Sequence, residues 1–290
     1  MHPAPSIILF TTLSGAGFGL LFWLGLDSTP PTGWVAFAFF TLAYLLAVGG
    51  LMASVFHLGQ PRRAIKAFRE WRSSWLSREA WTSTATLTLM ALYGAGLTFA
   101  ATRIGALGFI GAAMALLTVF TTAMIYAQMR TVPRWNTPLT PLKFLAISLA
   151  GGALLAAKTA FAIPLLLLAG ALQLAHWLMG DRLTETGSAL VPNSGTLRAF
   201  EPPHIGDNYL THEMAFTVAR RHALKLRVIA LLLMAPLPAL LLALPGGHVT
   251  GGFAVLFHIA GVLAARWLFF AEAQHVQARF YGTHARTESV

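Results

Sequence analysis

Apolar runs near 5–26, 33–57, 79–101, 104–127, 140–158, 160–179, 222–244 and 250–271 fill most of the chain. A hydrocarbon core about 30 Å thick is crossed by roughly 20 apolar residues in α-helix. Lipid offers no hydrogen bonds, so a backbone crossing it must pair its own N–H and C=O groups, and a helix does so within one segment. The expected fold is therefore all-α, an integral membrane bundle of about eight transmembrane helices in a single domain, 1–290. The fifth and sixth runs meet at a tight connection around Lys158 and are either two spans or one long broken helix. Residues 5–26 lack the basic start and small-residue cleavage site of a signal peptide and exceed its apolar length, so they read as the first span.

Charged residues make up only 10% of the chain, against about 25% in soluble domains. There is no cysteine, which excludes disulfides, thiolate metal sites and a self-contained iron–sulfur cluster. If electrons pass through this chain, a partner brings the metal centres. No P-loop, zincin helix, convincing dinucleotide fingerprint or nucleophile elbow is present. Clusters of small residues, Ser14, Gly15, Gly17 and Gly19 in the first span and Gly105, Gly108 and Gly111 in the fourth, read as close helix packing.

The net charge of +10 is distributed by topology. Of the 20 lysines and arginines, only Arg103 and Lys158 fall in the connections on one side; the rest lie on the side that holds both termini. The positive-inside rule places that side, and both termini, in the cytoplasm of a bacterial inner membrane. Nucleic acid is not the expected partner of this charge; membrane lipids and a docked protein are. Within 58–78, the 61–76 stretch puts Ile65, Phe68, Trp71, Trp75 and Leu76 roughly on one helical face, with Arg62, Arg63, Lys66, Arg69 and Arg72 largely elsewhere. That pattern is an interfacial amphipathic helix after the second span. Residues 180–221 form a long cytoplasmic loop, long for a mere connector.

His57 at the end of the second span and Ser77, Arg78 and Glu79 at the start of the third meet the same membrane surface. Quinone chemistry needs such a place, because the isoprenoid tail partitions into lipid while the ring exchanges protons with water. His and Glu can serve the two ring oxygens, and Arg78 can steady developing negative charge. The plainer alternative is a histidine and a glutamate resting at the interface, with Glu79 suited to the helix dipole. Haem is a rival: His57, His176, His222, His258 and His275 lie in or near spans, and two histidines on facing helices hold haem b, but no spacing selects a pair. Arg266, Glu272, His275 and Arg279 gather at the end of the last span, as an ion-pair network in preference to a proton route. Tyr126 at the end of the fourth span is a belt anchor or reaches a ring.

The segment HLGQPRRAIKAFREWRSSWLSRE, residues 57–79, resembles the anchor subunits of the dimethyl sulfoxide reductase family. HPAPSIILFTTLSGAGFGLLF, MIYAQMRTVPRW at 124–135 and RWLFFAEAQHV at 266–276 are similar to it as well. The resemblance implies an anchor that holds an iron–sulfur electron-transfer subunit, which in turn contacts a molybdopterin catalytic subunit. It implies a bound quinone, ubiquinone or menaquinone, at His57 and Glu79, and no haem. Within the family the chain looks most like anchors of cytoplasmic sulfite-oxidising enzymes; reduction of dimethyl sulfoxide, polysulfide or tetrathionate is the alternative. A transporter of small molecules is the rival of another class, and a plain membrane tether a third.

Overall fold

The computed structural model describes residues 3–56, 61–186 and 222–276, and for 61–64 and 184–186 the backbone alone. All regular structure among them is helical. The helices are α1 (Pro5–Leu26), α2 (Gly33–Val55), α3 (Trp75–Phe99), α4 (Gly105–Ala127), α5 (Leu139–Leu155), α6 (Thr159–Thr186), α7 (Ala223–Met234), α8 (Pro236–Ala243) and α9 (Gly247–Ala271), with a 3-10 segment at Pro61–Phe68. Six helical stretches are long and apolar enough to cross a membrane, with α7 and α8 together counting as one. Helix α3, whose first half is rich in hydroxyls, and α5, which has 17 residues, pack among them. The chain is a multi-pass membrane protein.

Helix α1 is the hub, packed on α2, α4 and α5 and touching α3 and α9. Its neighbours approach because it lacks side chains where they cross. A Cβ on Gly17 would overlap the backbone of Ala47, one on Gly19 the carbonyl of Ser148, and one on Gly25 the carbonyl of Gly108. Gly152 on α5 is in turn pressed on the backbone of Gly19. Small residues let helix backbones meet in lipid, where dispersion contacts drive association. The outer helices instead present Trp34, Leu45, Leu92, Phe109, Leu232 and Leu256 outward, all largely exposed.

The fifth and sixth runs are two helices. Helix α5 closes in a Schellman turn: Lys158 N–H donates to Ala153 O at 2.9 Å, Ala157 N–H donates to Leu154 O at 3.1 Å, and Ala157 has φ +54°. Lys158 is then spent on Asp27 at 2.6 Å, while Arg103 Nε donates to the Asp27 carbonyl at 3.0 Å. Asp27 thus ties three connections on the side opposite the termini.

The seventh span is broken at Ala235, where φ −129° and ψ −72° separate α7 from α8. Pro238 has no N–H to give to the Met234 carbonyl. His258 of α9 gives it instead, Nδ1–H to Met234 O at 2.7 Å. Gly261 allows this, since a Cβ there would overlap the Met234 backbone. His258, one of the histidines considered for haem, caps a helix break.

Two expected boundaries shift. The amphipathic stretch runs as helix only to Phe68; turns follow, and Trp75 and Leu76 already belong to α3, because Ser74 caps α3 by accepting from Ser77 N–H at 3.4 Å. Helix α6 runs to Thr186, so the first residues assigned to the 180–221 loop are helical; the remainder of that loop lies outside the described residues.

Gly19→Val should remove the monodisperse folded bundle, because an overpacked contact here is backbone against backbone. Gly49→Val, whose Cβ would meet open space, should leave it intact. Size-exclusion profiles and thermal melts of the two variants in mild detergent check this.

Candidate functional site

Glu79 sits in the second turn of α3, about 6 Å along the helix from its start at Trp75. It is 4% exposed, a carboxyl inside a helix interface. Thr122 of α4 donates its hydroxyl to Glu79 Oε1. The two helices are joined further inward by paired threonines, Thr82 with Thr121 at 3.0 Å and Thr86 with Thr118 at 2.9 Å. Each of these hydroxyls also reaches a carbonyl of its own helix three or four residues earlier, which lets them sit in apolar surroundings.

Ser77 lies two residues before Glu79, about 200° around α3 from it, and is 1% exposed, with no hydrogen-bond partner for its Oγ among the described residues. A buried hydroxyl left so is costly unless something else supplies a partner. Arg78 is used differently from the sequence expectation. Its Nε donates to Trp71 O at 3.0 Å and its Nη2 to Arg72 O at 2.7 Å, with the guanidinium 4.2 Å from the Trp75 ring centroid. It caps the turn that leads into α3. Trp81 Nε1 donates to Phe68 O at 3.0 Å and holds the 3-10 segment against α3. Lys66, Arg69 and Arg72 are exposed; His57 and the side chains of Arg62 and Arg63 lie outside the described residues.

One turn along α4 from Thr122, Tyr126 is buried with Trp135, Phe144, Phe269 and Phe270 around it, ring centroids at 5.4–5.9 Å. The α4–α5 connection folds back into the bundle end. Trp135 stacks on Phe269 at 5.1 Å and its Nε1 donates to Phe269 O at 2.8 Å. Val276 N–H donates to Thr131 O at 2.9 Å. The segments 124–135 and 266–276, separate motifs in the sequence, form one plug. Tyr126 lies within electrostatic range of both Glu79 and Arg266. Arg266 is 2% exposed, its guanidinium 3.4 Å from the Phe144 centroid, with no partner for Nε among the described residues.

Beside this plug lies an ion network assembled from four segments. Arg134 of the connection pairs with Asp181 of α6 at 2.6 Å and Glu272 at 3.3 Å. Arg227 of α7 pairs with Asp181 at 2.6 Å and Glu272 at 2.7 Å. Gly180 makes room, since a Cβ there would press on Arg134. Glu272 therefore faces Arg134 and Arg227. His275 follows α9, largely buried, and burial pulls its imidazole below the ordinary histidine range. Arg279 lies outside the described residues.

Lys143 of α5 and His176 of α6 form a second buried pair. Thr140 donates to Trp135 O at 2.8 Å, so its oxygen accepts from His176 Nε2 at 3.3 Å, and His176 Nδ1 accepts from Lys143 Nζ at 3.2 Å. Both ring nitrogens of His176 are thereby engaged. Thr122, Asp181 and the Lys143–His176 pair escaped the sequence reading; the hydroxyl run Thr118, Thr121, Thr122 inside an apolar span was the available signal. Among the described residues no group of three or more His, Asp or Glu side chains is placed to hold a metal ion.

A model of the DMSO reductase anchor subunit family (DmsC) matches residues 1–271. One sulfite dehydrogenase subunit, from Allochromatium vinosum, is 33% identical over 321 aligned residues, covering 97% of this chain and 99% of that protein. No solved structure matches the chain.

Glu272→Ala leaves Arg134 and Arg227 each short of a carboxylate. Breaking a buried pair from one side costs about 3–5 kcal/mol, so the melting temperature should fall clearly. Combined with Arg227→Met, the loss should be less than the sum of the single losses, which a thermal double-mutant cycle reads directly.

Proposed function

The chain belongs to the DMSO reductase anchor subunit family, and we propose that it is the quinone-reactive anchor of a three-subunit oxidoreductase that oxidises sulfite. Sulfite is oxidised in a molybdopterin subunit, electrons pass through an iron–sulfur subunit, and quinone in this bundle accepts them. The observation that carries the reading is Glu79, a carboxyl buried at the basic end of the bundle. A carboxyl there suits the proton demand of a lipid-soluble ring. The sulfite half of the proposal comes from the name of the Allochromatium relative.

Quinone, written here as an exchangeable substrate, takes up two electrons and two protons. Glu79 gives a proton to one ring oxygen and His57, just beyond α2, serves the other. Ser77 Oγ, buried without a partner among the described residues, is the third polar group for the ring to engage. Arg78 holds the preceding turn in place through its bonds to Trp71 and Arg72. The exposed Lys66, Arg69 and Arg72, with Arg62 and Arg63, dock the iron–sulfur subunit from the cytoplasm. Protons then come from the same side as the electrons, and turnover moves no net charge across the membrane.

The family model's own name favours a second reading, in which the same site oxidises quinol for reduction of dimethyl sulfoxide or a related acceptor.

The chain purified from its own membranes should bring with it a molybdopterin subunit and an iron–sulfur subunit, identified by mass spectrometry. Glu79→Gln and His57→Ala should each lower quinone-coupled sulfite oxidation at least about 100-fold, the range of general acid–base catalysis, while electron delivery to a soluble dye persists. Unchanged quinone kinetics in both variants would remove the site. Lys66, Arg69 and Arg72 changed together to Glu should weaken co-purification, and more so at low salt.

A further inference from the structure

Glu79 must exchange a proton in a place where each protonation state is hard to support. A buried carboxylate wants donors, and a buried carboxylic acid wants an acceptor. Thr122 is within reach of two acceptors at once, Glu79 Oε1 and the Thr118 carbonyl at 3.0 Å. A hydroxyl has one proton to give, so the two bonds are alternatives.

We propose that Thr122 is the positioning residue that lets Glu79 cycle between its two protonation states, by turning one hydroxyl between Glu79 and the Thr118 carbonyl. The inference rests on Glu79 being the proton donor to quinone. With Glu79 ionised, Thr122 O–H points at the carboxylate. With Glu79 protonated, the carboxyl O–H donates to Thr122 Oγ, and Thr122 gives its own proton to Thr118 O. Thr122 gains and loses no proton in the cycle. The proton that Glu79 passes to the ring oxygen is replaced from the cytoplasmic side.

The neighbouring hydrogen bonds leave no orphan in either state. When Thr122 turns away from Thr118, that carbonyl keeps Thr121 Oγ1–H at 2.8 Å. Thr121 is held in turn by Thr82 at 3.0 Å. The paired threonines thus form a fixed frame, and Thr122 is the member of it that touches a titratable group.

The other charged and titratable groups near Glu79 among the described residues are few; His57, which the proposed site adds, lies outside them. Helix α1 has none. Helix α2 has Tyr44, whose hydroxyl is committed to the Leu87 carbonyl. Helix α4 brings Tyr126, with Arg266 of α9 beyond it. Arg78 on α3 is bound to the preceding turn, and Lys66 on the 3-10 segment is exposed. Thr122 is the one hydroxyl seen to bond the carboxyl among the described residues.

The test uses the whole complex in detergent, with Thr122→Val, Thr122→Ala and Thr122→Ser. Infrared titration follows the carboxylic acid C=O band that Glu79→Gln removes. Without the hydroxyl, in the Val or Ala variant, both states lose a hydrogen bond but the carboxylate loses the stronger one, so the band should persist to a pH about one unit higher. The alkaline limb of quinone-coupled activity should move up by the same amount. Activity at neutral pH should fall about tenfold, since Glu79 becomes a weaker acid. Thr122→Ser should titrate like the wild type, and dye-coupled activity should stay unchanged in all three and certify assembly. Alanine is the smaller change and stands in if valine fails to assemble. A band that titrates at the wild-type pH without the hydroxyl, or a Ser variant that behaves like Val, overturns the proposal. A band that shifts while quinone activity and its pH profile stay fixed supports Thr122 as the partner of Glu79 and sinks the quinone role of Glu79 instead.

Discussion

Helix α1 can stand in the middle of the bundle because Gly17, Gly19 and Gly25 leave room for the backbones of α2, α5 and α4. In lipid there is no hydrophobic gain from bringing helices together, so close backbone contact and dispersion must supply the attraction. Once α1 fixes three neighbours at short range, the remaining helices have set places. Helices α6 and α9 pack on α5, α7 and α8 close over α9, and α3 packs along α4. The aromatic plug and the buried carboxyl of Glu79 both occupy positions that this close packing makes narrow and dry.

Dryness sets the second requirement, that polar groups find partners within the protein. The chain meets it with the same device in three places. His258 supplies the donor that Pro238 cannot give to Met234. Arg134 and Arg227 share Asp181 and Glu272. The threonines of α3 and α4 reach carbonyls of their own helices and pair with one another, with one member of each pair donating across. A break in a span and a histidine at mid-depth are what a transporter would also display. Here the freed carbonyl is closed by the histidine, and Lys158, the lone lysine on its side, is closed by Asp27.

The spans were legible because a bilayer demands a length and the apolar runs deliver it; most ends agree with the sequence reading within a few residues. Glu79 stood out because a carboxylate inside an apolar helix is rare and costly. What stayed hidden depends on register between segments far apart in sequence. Thr122 meets Glu79 only because α3 and α4 run antiparallel with 82 opposite 121. Arg134, Asp181, Arg227 and Glu272 come from four segments, and no spacing in the chain announces them. Arg78 looked available for a ligand because sequence does not show that the turns after the 3-10 segment bring the Trp71 and Arg72 carbonyls beside it. The break at Ala235 was written in Pro236 and Pro238, yet an unbroken apolar run over them reads as one helix.

The polar groups with chemical potential gather at one end, and the proposed supply of electrons and protons would explain why that end is the basic one. A cluster in a docked subunit cannot enter the bilayer, so electrons arrive at a surface. Protons arrive from water at the same surface. A lipid-borne ring, as proposed, would therefore meet both at the rim of the bundle, within a turn or two of the headgroups, which is where α3 places Glu79. Among the described residues, the charged groups of the opposite rim are a structural pair, Asp27 with Lys158, and Arg103, bonded to the Asp27 carbonyl. On the proposed function, the asymmetry of charge along the chain and the asymmetry of chemistry across the bundle would share one cause: the face that attracts a partner would be the face where reaction is possible.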